Sequence, residues 1–267
     1  MIRPSAVAGQ FYPDDPSALL QELQRCSETA LEPQAATGII VPHAGYRYSG
    51  ATAGKVIAST IIPKSCLLLG PNHTGRGAAK SMMGEGAWEL PGGFVDIDTE
   101  LGALLLALEG VRNDARAHAF EHSLEVILPF LRYRQSALRF VPLTLSRLSY
   151  EQCRRLGEGI ASVCRQLGER APLLVASSDM SHFLDAVAAE RLDRMAIDAI
   201  LALDPERLYQ VVEAHQISMC GVIPCTVMLV AASHLGAARA ELIEYTHSGV
   251  ATGDTTRVVA YAGLRVS

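Results

Sequence analysis

A chain of 267 residues, 49% of them hydrophobic and 19% charged, has enough apolar surface for one large core or two small ones. Its formal net charge of −5 and the lack of any basic tract exclude a protein built around a polyanion, so no nucleic-acid partner is expected. The opening Met1-Ile2-Arg3-Pro4-Ser5 has no apolar leader and no later run reaches membrane-span length, which predicts a cytoplasmic protein with no membrane partner.

Short runs rich in Val, Ile and Leu alternate along the chain with longer segments of helical period, the pattern of a mainly parallel sheet covered by helices on both faces. In chain order, strands are predicted at Gly38 to Pro42, Ser65 to Leu69, Leu138 to Leu143, Leu173 to Ala176, Ala240 to Tyr245 and Arg257 to Ala262. Helices are predicted at Ala51 to Ile61, Thr99 to Leu108, Leu124 to Tyr133, Tyr150 to Leu167, Val187 to Leu203, Pro205 to Ala214 and Ile223 to Leu235. Ser149 before the Tyr150 helix, and Asp204-Pro205 before the next but one, are N-terminal signals. The stretch GEGAWELPGGFVDI, Gly84 to Ile97, reads as an antiparallel excursion around a Pro-Gly-Gly turn. No linker, charge block or repeat divides the chain, so a single α/β domain over residues 1–267 is expected.

Ligands of open α/β sheets gather beyond the carboxyl ends of the strands, so polar residues that directly follow apolar runs are the informative ones. GIIVPHAG ends a strand in His43, CLLLGPNHTG ends one in His73, and LLVASSDMSH ends one in Asp179 with His182 three residues on. Three of the eight histidines would then meet at one rim, as a metal site or an acid/base site. A rival pattern is His118-Ala-Phe-Glu121-His122, an H-x-x-E-H match that on a helix would place two imidazoles on one face for zinc, with Glu121 as general base. The residues before it read as loop and the helical period begins only near Leu124, which counts against that geometry. GPNHTGRG lacks the ending of a phosphate loop, and Ser177-Ser178-Asp179 has no nucleophile elbow around it. None of the six cysteines forms a C-x-x-C pair. Cys220, in a Met-Cys-Gly bend at a predicted helix start, is open to readings as a buried thiol, a redox partner, a nucleophile or a metal ligand, whereas Cys225 reads as helix core.

Seven stretches, AGQFYP, VPHAGYRYSG, LLLGPNHTG, EHSLEVILPFL, ASSDMSH, SMCGVIPC and SGVATGDTTRVVAYAG, span nearly the whole chain in order and together resemble the MEMO family. The resemblance implies a three-layer αβα sandwich of the LigB type, similar to the class III extradiol dioxygenases. It implies His43, His73 and Cys220 as metal ligands, His182 and Asp179 beside the metal, His122 near the same pocket, and Phe11 and Tyr12 packed against the cleft. The implied metal is Fe(II) or copper, with Zn(II) the alternative; a thiolate where the dioxygenases use a carboxylate is a softer ligand and shifts preference toward Zn(II) or copper. The implied activity is a dioxygenase-like oxidoreductase acting on a small molecule or a modified peptide, with His182 as acid/base, and a functional link to AMMECR1-like and radical-SAM proteins. The other reading is a binding module that kept the metal and lost turnover.

Overall fold

Ile39 to Val41, Leu67 to Leu69 and Leu174 to Ala176 have no exposed surface at all. Continuous apolar runs of this kind cannot be half-buried strands; both faces must be covered, as in a parallel sheet between helical layers. A computed structural model of the chain, describing residues Met1–Ser267, has that arrangement. In order come β1 (Ile2–Arg3), α1 (Pro16–Cys26), β2 (Gly38–Val41), α2 (Ala51–Ala58), β3 (Ser65–Pro71), β4 (Lys80–Met82), β5 (Ala87–Leu90), β6 (Gly93–Ile97), α3 (Thr99–Leu106), β7 (Val111–Asn113) and α4 (Leu128–Arg134). There follow β8 (Arg139–Leu145), α5 (Tyr150–Leu167), β9 (Leu173–Ser177), β10 (His182–Leu184), α6 (Ala186–Leu201), α7 (Pro205–Ala214), α8 (Val222–His234), β11 (Ala240–His247), α9 (Gly249–Thr252) and β12 (Val258–Val266).

The strands form one sheet in the order β1-β5-β6-β8-β3-β9-β2-β12-β10, with β11 on β12 and β4 between β7 and β8. At its centre β6, β8, β3, β9 and β2 are all parallel. The additions at the margins, β12 on β2, β11 on β12 and β4 on β8, are antiparallel. One face carries α1, α2 and α4, the other α5 and α8 with α3, α6 and α7. Ten of the thirteen residues of α8 are buried, from Ile223 to Ala232, which a helix without a polar face requires. It lies against the sheet and under α5, where Gly157 lets the backbones approach: a Cβ there would stand 2.6 Å from Val230. The β5–β6 hairpin turns through Pro91-Gly92, with Gly92 at φ +83°, the left-handed position that only glycine enters without strain. Seventy buried residues make one contiguous apolar cluster, and no helix is long and apolar enough to cross a membrane.

Helix ends follow local chemistry. Ser149 caps α5 in a reciprocal box with Gln152, and Asp204 accepts from the Arg207 amide ahead of Pro205. The same Asp-Pro signal at Asp15-Pro16 starts α1, a helix absent from the sequence reading. The helix expected from Leu124 begins only at Leu128, because Pro129 has no N–H to give and is tolerated only in a first turn. Residues 121–127 are consequently free of the helix, and the candidate site uses them.

Candidate metal centre

His43 sits two residues past β2, and its neighbours fix both its backbone and its ring. Its amide donates to Asp179 Oδ1 (2.8 Å), the residue that follows β9 on the adjacent parallel strand. Its Nδ1 lies 2.6 Å from Ser177 Oγ, and that hydroxyl spends its single proton on the Ser123 carbonyl (2.7 Å). Ser177 can therefore only accept from the ring, so Nδ1 carries the hydrogen and Nε2 keeps its lone pair. Burial, followed by the neighbouring His122 and His73, holds the ring well below the ordinary histidine pKa, which keeps that lone pair available.

His73 is held by a carboxylate. Glu121 receives its amide on Oε2 (2.6 Å) and its Nδ1 on Oε1 (2.9 Å), while the Ser123 amide donates to Oε1 (3.0 Å). Burial alone would push the Glu121 carboxyl up; the His73 hydrogen bond and charge overcome it and bring the group down to about 2. Burial likewise opposes charge on His73, but the Glu121 contacts win and raise its pKa. A carboxylate on Nδ1 fixes the tautomer that offers Nε2, the arrangement found behind metal-bound imidazoles. His122 stacks on His73 at 4.8 Å between centroids and meets His43 edge-on at 5.5 Å. One ring nitrogen from each of His43, His73 and His122 lies within 4.8 Å of the other two.

Cys220 stands at the free side of His43, its Sγ 3.4 Å from Nε2 and receiving the Asp179 amide at 3.3 Å. Two ligands at about 2.1 and 2.3 Å on a tetrahedral metal lie roughly 3.6 Å apart, so this pair already has the spacing of ligands to one ion. A position at a helix start favours a thiolate, but burial and then Asp179 push the thiol well above its ordinary value. A bound cation reverses that balance. Burial also raises Asp179, against the amide of His43. The donor set thus fits a first-row metal: two fixed imidazole lone pairs and a third imidazole in one cluster, with a thiol at ligand spacing from His43.

His182 joins the rim through Ser218. Its amide donates to Ser218 Oγ (2.8 Å) and its Nδ1 to the Ser218 carbonyl (2.9 Å), so Ser218, and not Asp179, orients the ring and leaves Nε2 as acceptor. A cavity of about 450 Å³ opens beside these groups, lined by His122, Asp179 and His182 together with Phe11, Tyr48 and Tyr261. Phe11 packs on His122 at 4.8 Å. Tyr12 turns instead into the protein and donates to Glu125 (2.7 Å).

The H-x-x-E-H geometry is not formed. Ala115–Ala117 is a single 3-10 turn, and His118 is wholly buried with Nδ1 on Thr144 Oγ1 (3.0 Å) and its pKa lowered to about 4 by burial and then Arg3. His118 is absent from the imidazole cluster, and Glu121 serves His73. Sequence reasoning missed Ser177, Ser123 and Ser218, and it gave Glu121 only the role of a peptidase base. Glu121 could have been singled out as an acid next to His122 in a segment that Pro129 keeps non-helical.

The Memo family model, described as Memo-like protein, matches residues 3–265. A MEMO1 family protein of Aquifex aeolicus is 42% identical over 266 residues, covering 98% of each chain. One from Methanopyrus kandleri is 40% identical over 279 residues, covering 99% of this chain and 98% of that protein. Among solved structures, the crystal structure of an uncharacterized protein from Escherichia coli K12 aligns with a TM-score of 0.57 over 85% of this chain and 98% of that one; at 14% identity the likeness concerns the fold alone.

Proposed function

The chain belongs to the Memo family, and from that premise we propose that it is a metal-dependent, dioxygenase-like oxidoreductase acting on a small molecule or a modified peptide in the cavity beside its histidine cluster. The observation that carries this reading is the convergence of His43, His73 and His122 within 4.8 Å, with His122 in the wall of that cavity. His43, His73 and Cys220 would hold the metal, with His122 facing it from the loop side. The 3.4 Å spacing of Cys220 from His43 Nε2 supports the thiol as a ligand beside His43, and His122 is the third member of the imidazole cluster itself. Iron or copper bound there supplies a Lewis acid and one-electron redox chemistry.

The chain's own groups do the rest. His182, its Nδ1 committed to Ser218, has Nε2 free to take a proton from a hydroxyl group of the substrate and return it to the product. Asp179 fixes the His43 backbone and places its carboxyl at the cavity wall. Phe11, Tyr48 and Tyr261 line the cavity and give it aromatic surface for a substrate.

Metal analysis of protein purified without added metal, of His43→Ala and of Cys220→Ser, followed by oxygen uptake with catechols after anaerobic Fe(II) loading, tests the proposal. Close to one metal per chain is expected in the parent, with none in His43→Ala. A sulfur charge-transfer band with Co(II) or Cu(II) should be present in the parent and missing from Cys220→Ser. A parent chain without first-row metal, unaltered by His43→Ala, would sink the site. Metal uptake without turnover on any substrate would instead favour a binding module, a reading that the oxidisable thiol at the site also supports.

A further inference from the structure

The segment His118 to Glu125, which carries Glu121, His122 and Ser123, has no regular structure of its own to hold it. Ala119 and Phe120 are exposed, yet His118, Glu121 and Ser123 to Glu125 are buried, and the carbonyls of these buried residues must find donors away from water. For His118 and Glu121 the donor comes from the far N-terminus. Arg3 in β1 donates from Nε to the His118 carbonyl (2.8 Å), from one terminal nitrogen to the Glu121 carbonyl (2.8 Å), and from the other to the Pro4 carbonyl and the Glu125 carboxylate. Glu125 also receives the Ala6 and Val7 amides (both at 3.0 Å on Oε1) and the Tyr12 hydroxyl. The guanidinium lies 4.1 Å over the Trp88 ring, and Arg3 and Glu125 are 5% and 0% exposed.

We propose that Arg3 is a positioning residue for the metal centre: its fork holds the His118 and Glu121 carbonyls at once, so that the Glu121 side chain is aimed at His73 and the next residue, His122, at His43. The inference rests on the metal reading above for its consequence, but its geometry does not need a metal. A buried ion pair of this sort contributes little net stability compared with apolar residues of the same volume, which makes conformational specificity the better explanation of its presence. Only a guanidinium can span two carbonyls and a carboxylate in one plane. An ammonium offers its three donors from a point and cannot bridge them.

The test is Arg3→Lys, which keeps the charge that Glu125 faces and removes the fork. In the metal-free protein, the Nδ1–H of His73 on Glu121 should give a protected downfield proton resonance that is lost or broadened in the variant. With Co(II) as probe, affinity should fall about tenfold or more, the usual scale for losing a group that orients a metal ligand. Glu121→Gln should fall comparably, and the double variant no further than the worse single one, because Arg3 acts through Glu121. An unchanged resonance, or losses that simply add, would overturn the proposal, since a residue that only stabilises the fold predicts both. Should Arg3→Lys not fold, Trp88→Phe withdraws part of the ring under the guanidinium and leaves every donor in place; a weakened His73 resonance supports the proposal and an intact one overturns it. A parent chain that binds no cobalt but whose His73 resonance still depends on Arg3 would remove the metal reading and leave this inference standing.

Discussion

His43 and Glu121 stand on opposite sides of one cluster and are held by different means. His43 belongs to the sheet: β2, β9 and β3 run parallel in fixed register, and the residues that follow them reach the same rim whatever the loops do. Glu121 belongs to an irregular segment fixed by buried polar contacts, with Arg3 on its carbonyl and the amides of His73 and Ser123 on its carboxylate. The two sides meet in one relay, from the Ser123 carbonyl through Ser177 Oγ to His43 Nδ1. The sheet side is set by a pattern repeated over many residues, while the loop side depends on single atoms. The sheet side should therefore tolerate substitution around its ligands, and the loop side should not.

The largest effect expected is at His43 itself. His43→Ala should abolish metal uptake, read as metal per chain, while leaving a cooperatively folded protein, because the strand that presents it keeps its core. Leu68→Ala, in the middle of β3 and without exposed surface, should cost about 2–5 kcal/mol in denaturant unfolding and leave metal stoichiometry unchanged. A loss of metal in that variant would break the distinction between scaffold and site. On the loop side the order reverses. Glu121→Gln should weaken metal binding by about 10–100-fold in a competition titration, although the substitution is nearly isosteric. Ser149→Ala, at the start of α5, removes only a cap and should cost about 1 kcal/mol, with metal affinity unaltered. Little effect on the site is likewise expected from His118→Ala: some loss of stability from the emptied space, and metal affinity within twofold of the parent. Loss of metal there would revive the peptidase geometry that the fold does not form.

The legibility of these residues in the sequence follows the same division. His43, His73, Asp179 and His182 are visible because each ends or follows an apolar run, and in a parallel sheet that position has a spatial meaning. Ser149 and Asp204-Pro205 announce helix starts through short-range chemistry that needs no fold. The apolar period suggests a start of α4 at Leu124, but Pro129, with no N–H to give, belongs in a first turn and the helix begins at Leu128. Ser177 carries no local signal beyond the lack of a nucleophile elbow. Its role as the acceptor that fixes the His43 tautomer depends on Ser123, 54 residues earlier in the chain.

The amino-acid sequence by itself determined that the chain makes an α/β sheet, where its longer strands fall and where three histidines leave them, since periodicity and chain direction are local properties. It also distinguished Cys220 from Cys225 by the bend that places one before a helix and the other inside it. The tertiary structure alone decided that Glu121 holds His73, that Ser218 and not Asp179 orients His182, that His118 faces Thr144 inside the core, and that the third residue of the chain braces the cluster. Those contacts join residues 36 to 118 positions apart in all but one case, the 26-residue span to Thr144. Hydrogen bonds over such separations are set by the packing of layers and leave no periodic trace in the chain.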